Sequence, residues 1–138
     1  MSFEVFIACF KGGEPAGIRR ADVRTLFPVD QSRSEPDYWS VYYDDLNSCH
    51  IGVTPLDSDP GQMKALCVFR PCGDLRLWGA LLAVLRLGSV VLYFPGDAPP
   101  LVASELAGKQ LPAEMVEAMG QPRVVSSCDE ILQIIKFA

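Results

Sequence analysis

The stretch Asp74–Gly96, DLRLWGALLAVLRLGSVVLYFPG, decides how the chain is read. Between Leu75 and Leu87 its only charges are Arg76 and Arg86, which at 100° per residue fall roughly 80° apart, so most of the helical circumference is apolar. Such a helix is enclosed by the rest of the molecule. Asp74 is placed to cap it by accepting from the free N–H groups of the first turn, and Gly88 to end it in a left-handed conformation. Gly79, Ala80 and Ala83 form a small-residue patch at which a neighbouring backbone is expected to approach closely. Val90–Phe94 then runs β-branched and aromatic without alternation, the pattern of a strand covered on both faces. A membrane-spanning helix is excluded, because the apolar run lasts about 13 residues before Gly88 against the roughly 20 that cross a bilayer.

Outward from this stretch, Met63–Arg70 is a strand with apolar residues on both faces, expected to lie centrally. With the helix Leu75–Leu87 and the strand Ser89–Phe94 it makes a β-α-β unit, whose crossover implies parallel strands. Tyr38–Asp44 and Cys49–Thr54 alternate, with Trp39, Val41, Tyr43, Cys49, Ile51 and Val53 facing inward, and read as an antiparallel hairpin turning at Asp45–Asn47. Phe3–Phe10 is an interior strand and Lys11–Gly17 a turn. Arg20–Phe27 is a short helix stopped by Pro28, with Arg20 and Arg24 on a solvated outer face. Residues 28–37 and Pro55–Gly61 are loops. Downstream, Leu101–Ser104 fits a short strand or a helical turn equally well. Pro112–Met119 is a helix closed by Gly120, Arg123–Ser126 a short strand, and Ser127–Glu130 a capping box for a last helix with Ile131, Leu132, Ile134 and Ile135 inward. The expected fold is a single α/β (mixed α+β) domain over residues 1–138. It has one mixed sheet with an antiparallel hairpin toward an edge, a parallel β-α-β unit, and helices packed on the sheet.

Composition narrows the function. The chain has 138 residues, is 49% hydrophobic and 21% charged, and needs no metal or disulfide to build its core. MSFEVFIACF lacks the features of a secretory signal, and a cytoplasmic location is expected. The five cysteines form no CxxC pair and fall mostly in apolar runs, as thiols in a reducing compartment do. A lone histidine, His50, leaves little material for a zinc site, and no metal or cofactor is expected. With a formal charge of −5 and scattered bases, nucleic acid is not an expected partner.

Two regions qualify as sites. At Pro71-Cys72-Gly73-Asp74 a strand hands over to a helix, where ligands of open α/β sheets bind and where a helix N-terminus lowers a thiol pKa. A thiol enzyme or small-ligand domain would use Cys72, Gly73 and Asp74 there, with Asp97 on the neighbouring loop. The pattern lacks an arginine six positions after the cysteine and any glycine-rich phosphate cradle, and Asp74 is better explained as a cap than as an acid. The second region is electrostatic. Residues 30–60 hold Asp30, Glu35, Asp37, Asp44, Asp45, Asp57 and Asp59 against Arg33 alone, a net of −6, while the other 107 residues sum to +1. Tyr38 and Tyr42 lie on the outer face of the same hairpin. Tyrosines among carboxylates make a surface for a basic protein, with Asp37, Tyr38, Tyr42, Asp44, Asp45, Asp57 and Asp59 as its residues; a solvated face is the alternative. A calcium loop at Asp57-x-Asp59 lacks its remaining ligands.

The opening SFEVFIACF-KGGEPAGI and the segment YYDDLNSC, in a small acidic α/β chain, resemble the immunity proteins of polymorphic and type VI secreted toxin systems. The resemblance lies in whole-chain character. It implies a non-catalytic protein that binds a cognate toxin domain with a basic surface and occludes its active site, without membrane or nucleic acid.

Overall fold

The computed structural model describes residues 3–136. Among these, β1 (Glu4–Lys11) is the centre of a mixed sheet of nine strands. Its alternate residues Val5, Ile7 and Cys9 are buried on one face. On one side β1 pairs antiparallel with β6 (Asp59–Phe69), in the register Val5↔Val68 and Ile7↔Leu66. On the other it pairs antiparallel with β7 (Val90–Tyr93), in the register Ile7↔Leu92. Beyond β6 lie β5 (Asn47–Leu56) and the edge strand β4 (Tyr38–Asp44), and beyond β7 lie β8 (Leu101–Val102) and β9 (Arg123–Val124). Two short strands, β2 (Glu14–Pro15) and β3 (Ile18–Arg19), pair with β1 and β6.

The β-α-β unit is present in split form. β6 and β7, joined by α2 (Leu75–Leu85), are each antiparallel to β1 and hence parallel to each other, with β1 between them. The crossover fixed their relative direction; β1, apolar on both faces, took the place between them. The directly paired parallel strands among the described residues are β8 and β9. The hairpin β4–β5 stands at the edge as expected, but Pro55–Gly61 is not a loop. β5 and β6 extend toward each other through register shifts at Thr54–Leu56, leaving a tight turn at Asp57–Ser58, with Pro55 tolerated at the irregularity.

Helices cover the sheet unevenly. On one face α1 (Arg20–Arg24), α2 and α5 (Cys128–Lys136) bury the main core, including Trp39, Ile51, Leu66, Leu81, Leu92 and Ile131. On the other, α3 (Glu105–Gly108), α4 (Ala113–Met119) and the segment between them cover a smaller cluster, Ala8, Val91, Val102, Ala107 and Leu111, at the β1–β7–β8 end. No helix among the described residues is long and apolar enough to cross a membrane.

Several local expectations are revised. Asp74 caps α2, accepting from the Arg76 N–H at 2.8 Å. The helix closes at Arg86, whose N–H reaches the carbonyls of Leu82 and Ala83, so Gly88 has no left-handed role. A methyl group added at Gly79 would meet nothing within 4 Å, so no backbone packs on the small-residue patch there. Leu101–Ser104 supplies both alternatives: β8, then Ser104 as N-cap of α3, accepting from the Ala107 N–H at 3.1 Å. At α5, Ser127 Oγ accepts from the Glu130 N–H, while the Glu130 carboxylate reaches back to Ser126, one residue earlier than a reciprocal box requires.

Candidate functional site

Because α3 and α4 stop at the β1–β7–β8 end, the same face of β4, β5 and β6 has no helix on it. Strand alternation decides what it displays. Tyr38 and Tyr42 project from β4, 42% and 48% exposed, opposite the buried Trp39 and Val41. His50 projects from β5, and its ring stacks on Tyr38 with centroids 5.3 Å apart. Register pairing His50↔Phe69 brings Phe69 of β6 alongside, 6.0 Å from Tyr38. The Phe69 ring rests over Gly52, where a Cβ would lie 3.1 Å from it. One strand further, Phe6 of β1 stacks on Tyr93 of β7 at 5.4 Å. Two aromatic groups thus lie on this face: Tyr38, His50 and Phe69 on the uncovered strands, and Phe6 with Tyr93, which also packs against the smaller cluster.

The edge strand β4 is not free to recruit another strand. The Ser40 N–H donates to Ser34 Oγ, the Tyr42 N–H to the Pro28 carbonyl, and the Ser40 carbonyl accepts from the Asp30 N–H, so residues 28–35 occupy its outer hydrogen-bonding groups. Recognition at this hairpin therefore uses side chains on its face.

The seven acid-and-tyrosine residues do not form one patch. Tyr42, Asp44 and Asp45 gather at the β4–β5 turn, whereas Asp37, Asp57 and Asp59 lie near the β5–β6 turn at the opposite end, about 20 Å away at the rise of a strand, with Tyr38 on the face between. Bases from outside the acidic segment also fold onto it. Arg20 donates to Asp37 at 2.6 Å and to the carbonyls of Pro36 and Pro60, and its side chain is only 20% exposed. Arg24 lies over the Trp39 ring at 5.7 Å. The two arginines of α1 are thus tied to the hairpin and its flanking loop instead of forming a solvated face. Lys64 approaches Asp57 at 3.7 Å. Arg76 donates to Asp44 at 2.7 Å, and Asp44 also accepts from the Asn47 amide and the Leu46 N–H, bonds that hold its carboxyl below the usual range. Asp59 closes its own turn by accepting from the Gly61 N–H and the Gln62 amide. Asp45 differs: its only bond among the described residues comes from the Tyr42 hydroxyl, which raises the phenol pKa. Tyr42 and Asp45 therefore present a phenol ring and a carboxylate as one unit.

The strand-to-helix turn is committed to structure. The Cys72 carbonyl accepts from the Trp78 indole N–H at 2.9 Å, and its side chain packs on the main core. Asp74 is bound by Arg76 through both carboxylate oxygens, which brings its pKa down to about 2. Gly73 is exposed, and a Cβ added there would meet nothing within 4 Å; Asp97 is exposed on the loop after β7. His50 is on the open face and Cys72 against the opposite one, so the sheet separates that thiol from the single histidine. All five cysteines are free, and burial pushes the Cys9 and Cys49 thiols up to about 12. No group of three His, Cys, Asp or Glu side chains gathers among the described residues.

Family models, curated proteins and solved structures give no match.

The hairpin alternation placed His50 outward, as found, but the sequence pattern did not single out Phe69, Phe6 and Tyr93 as residues of the uncovered face. The signal was present in part: Gly52 inside a strand marks a close approach by a neighbour, here the Phe69 ring.

Proposed function

We propose that this protein is a non-catalytic binding protein which captures a basic protein partner, in the manner of an immunity protein occluding a secreted toxin domain. It acts in the cytoplasm, where its thiols stay reduced. The observation that carries this reading is the open sheet face of β4–β6, on which the Tyr38–His50–Phe69 aromatic group adjoins the Tyr42–Asp45 unit. Stacked aromatics offer rigid contact area at small entropic loss, and a carboxylate beside them selects lysine or arginine. The covered edge of β4 supports docking on the face, and the structural duties of Cys72 and Asp74 favour binding over thiol chemistry.

The experiment is direct. The protein is mixed with the product of the gene adjacent to its own, and complex formation, loss of the partner's activity and dissociation rate are measured. Tyr38→Ala with Tyr42→Ala is expected to speed dissociation by about tenfold or more, the loss typical of aromatic anchors. An unchanged dissociation rate in this double variant removes the open face as the interface.

A further inference from the structure

Where β1 begins and β6 and β7 end, the sheet holds a cavity of about 520 Å³ lined by Phe3, Glu4, Phe69, Arg70 and Pro95. Its size falls within the range of small-molecule sites. Arg70 is the one non-glycine residue with a left-handed backbone among those described, at φ 48°, and its N–H donates to the Phe3 carbonyl at 3.2 Å. An L-residue adopts that conformation at an energetic cost, and such residues concentrate where function demands a particular placement. Arg70 and Glu4 are opposite charges on one cavity, both exposed, yet neither forms an ion pair or a side-chain hydrogen bond with any described residue. Residues of opposite charge thus line one space without pairing with each other, and the apolar Phe69 and Pro95 line it beside them, with Phe3 at its border against the main core.

We infer that this cavity binds a free α-amino acid with an aromatic or large apolar side chain. The Arg70 guanidinium takes the carboxylate through paired N–H donors, Glu4 takes the ammonium group, and the side chain lies against Phe3, Phe69 and Pro95. A ligand carrying both charges satisfies both walls; a simple anion leaves Glu4 opposed, and a simple cation leaves Arg70 opposed. The site adjoins the proposed protein interface and shares Phe69 with it, but it rests on Glu4 and Arg70 and is tested with no protein partner present.

The test is titration of the isotope-labelled full chain with L-phenylalanine, followed through the amide resonances of Glu4, Phe69 and Arg70. Saturable shifts at these positions are expected. Phenethylamine, which lacks the carboxylate, and hydrocinnamate, which lacks the ammonium group, are each expected to bind at least about tenfold more weakly, as are Arg70→Gly and Glu4→Gln with L-phenylalanine. Arg70→Gly places glycine where the backbone is left-handed, so it keeps the fold and melts no lower than the parent. Absence of saturable shifts up to about 10 mM ligand, enough to detect a Kd of about 1 mM, overturns the inference. So does undiminished affinity of Arg70→Gly, or equal binding of phenethylamine.

Discussion

Arg76 joins groups that lie far apart in the sequence. It donates to both oxygens of Asp74, at 3.0 and 2.7 Å, and to Asp44 at 2.7 Å, while its guanidinium sits 5.1 Å from the Tyr43 ring centroid. The side-chain bond to Arg76 is the main reason that the Asp74 carboxyl falls from 3.8 to about 2. A carboxylate whose pKa is lowered by folding contributes stability that is complete above its unfolded pKa and is lost as pH falls through the folded value. Asp74→Asn keeps an oxygen for the helix cap and removes the charge. It is expected to be less stable than the parent at neutral pH, with the difference shrinking as pH falls from 3.8 toward about 2; urea unfolding across that range measures it, and a pH-independent difference contradicts the assignment. Arg70→Gly, relieved of its left-handed strain, is expected to gain about 1 kcal/mol by the same method. At this scale the sequence revealed the cap at Asp74 and the outward tyrosines, because both follow from local pattern. It could not reveal Arg76–Asp44 or Arg20–Asp37, since pairs between elements depend on how those elements are placed.

Among the elements, α2 buries the face its sequence assigns to the core, Leu77, Trp78, Leu81, Leu82, Val84 and Leu85, but it is not enclosed all round, since Leu75 is 52% exposed. Leu81 is completely enclosed, and Leu81→Ala is expected to lower stability by about 2–5 kcal/mol in denaturant unfolding through lost transfer energy and a residual cavity. A smaller loss would mean that α5 or the sheet collapses onto the vacancy. Strand identities were legible from alternation and from apolar runs, and the hairpin at the edge from its turn. Adjacency was not. A β-α-β pattern is equally satisfied with or without a strand between its two members, and only the pairing of β1 with both β6 and β7 resolves it. Nor could apolarity on both faces of β1 and β6 reveal how far the helices extend. Phe6 and Phe69 look like core in sequence, yet α3 and α4 are too short to cover their face of the sheet.

For the whole molecule, the formal charge of −5 is concentrated in residues 30–60, but folding redistributes it. Arg20, Lys64 and Arg76 neutralise part of the segment from outside, and Asp44 and Asp59 are held by turn hydrogen bonds. The carboxylate best placed to meet a partner is Asp45, exposed at the end of the aromatic face and joined to Tyr42. Its reversal disturbs no ion pair among the described residues, unlike reversal of Asp44. The measurement that bears most directly on the central claim is therefore the association rate of Asp45→Lys with the basic partner, followed as a function of salt. Association several-fold slower than for the parent, with a shallower dependence on ionic strength, is expected, because a steering carboxylate has become a repelling ammonium. An association rate and salt dependence identical to those of the parent would contradict it.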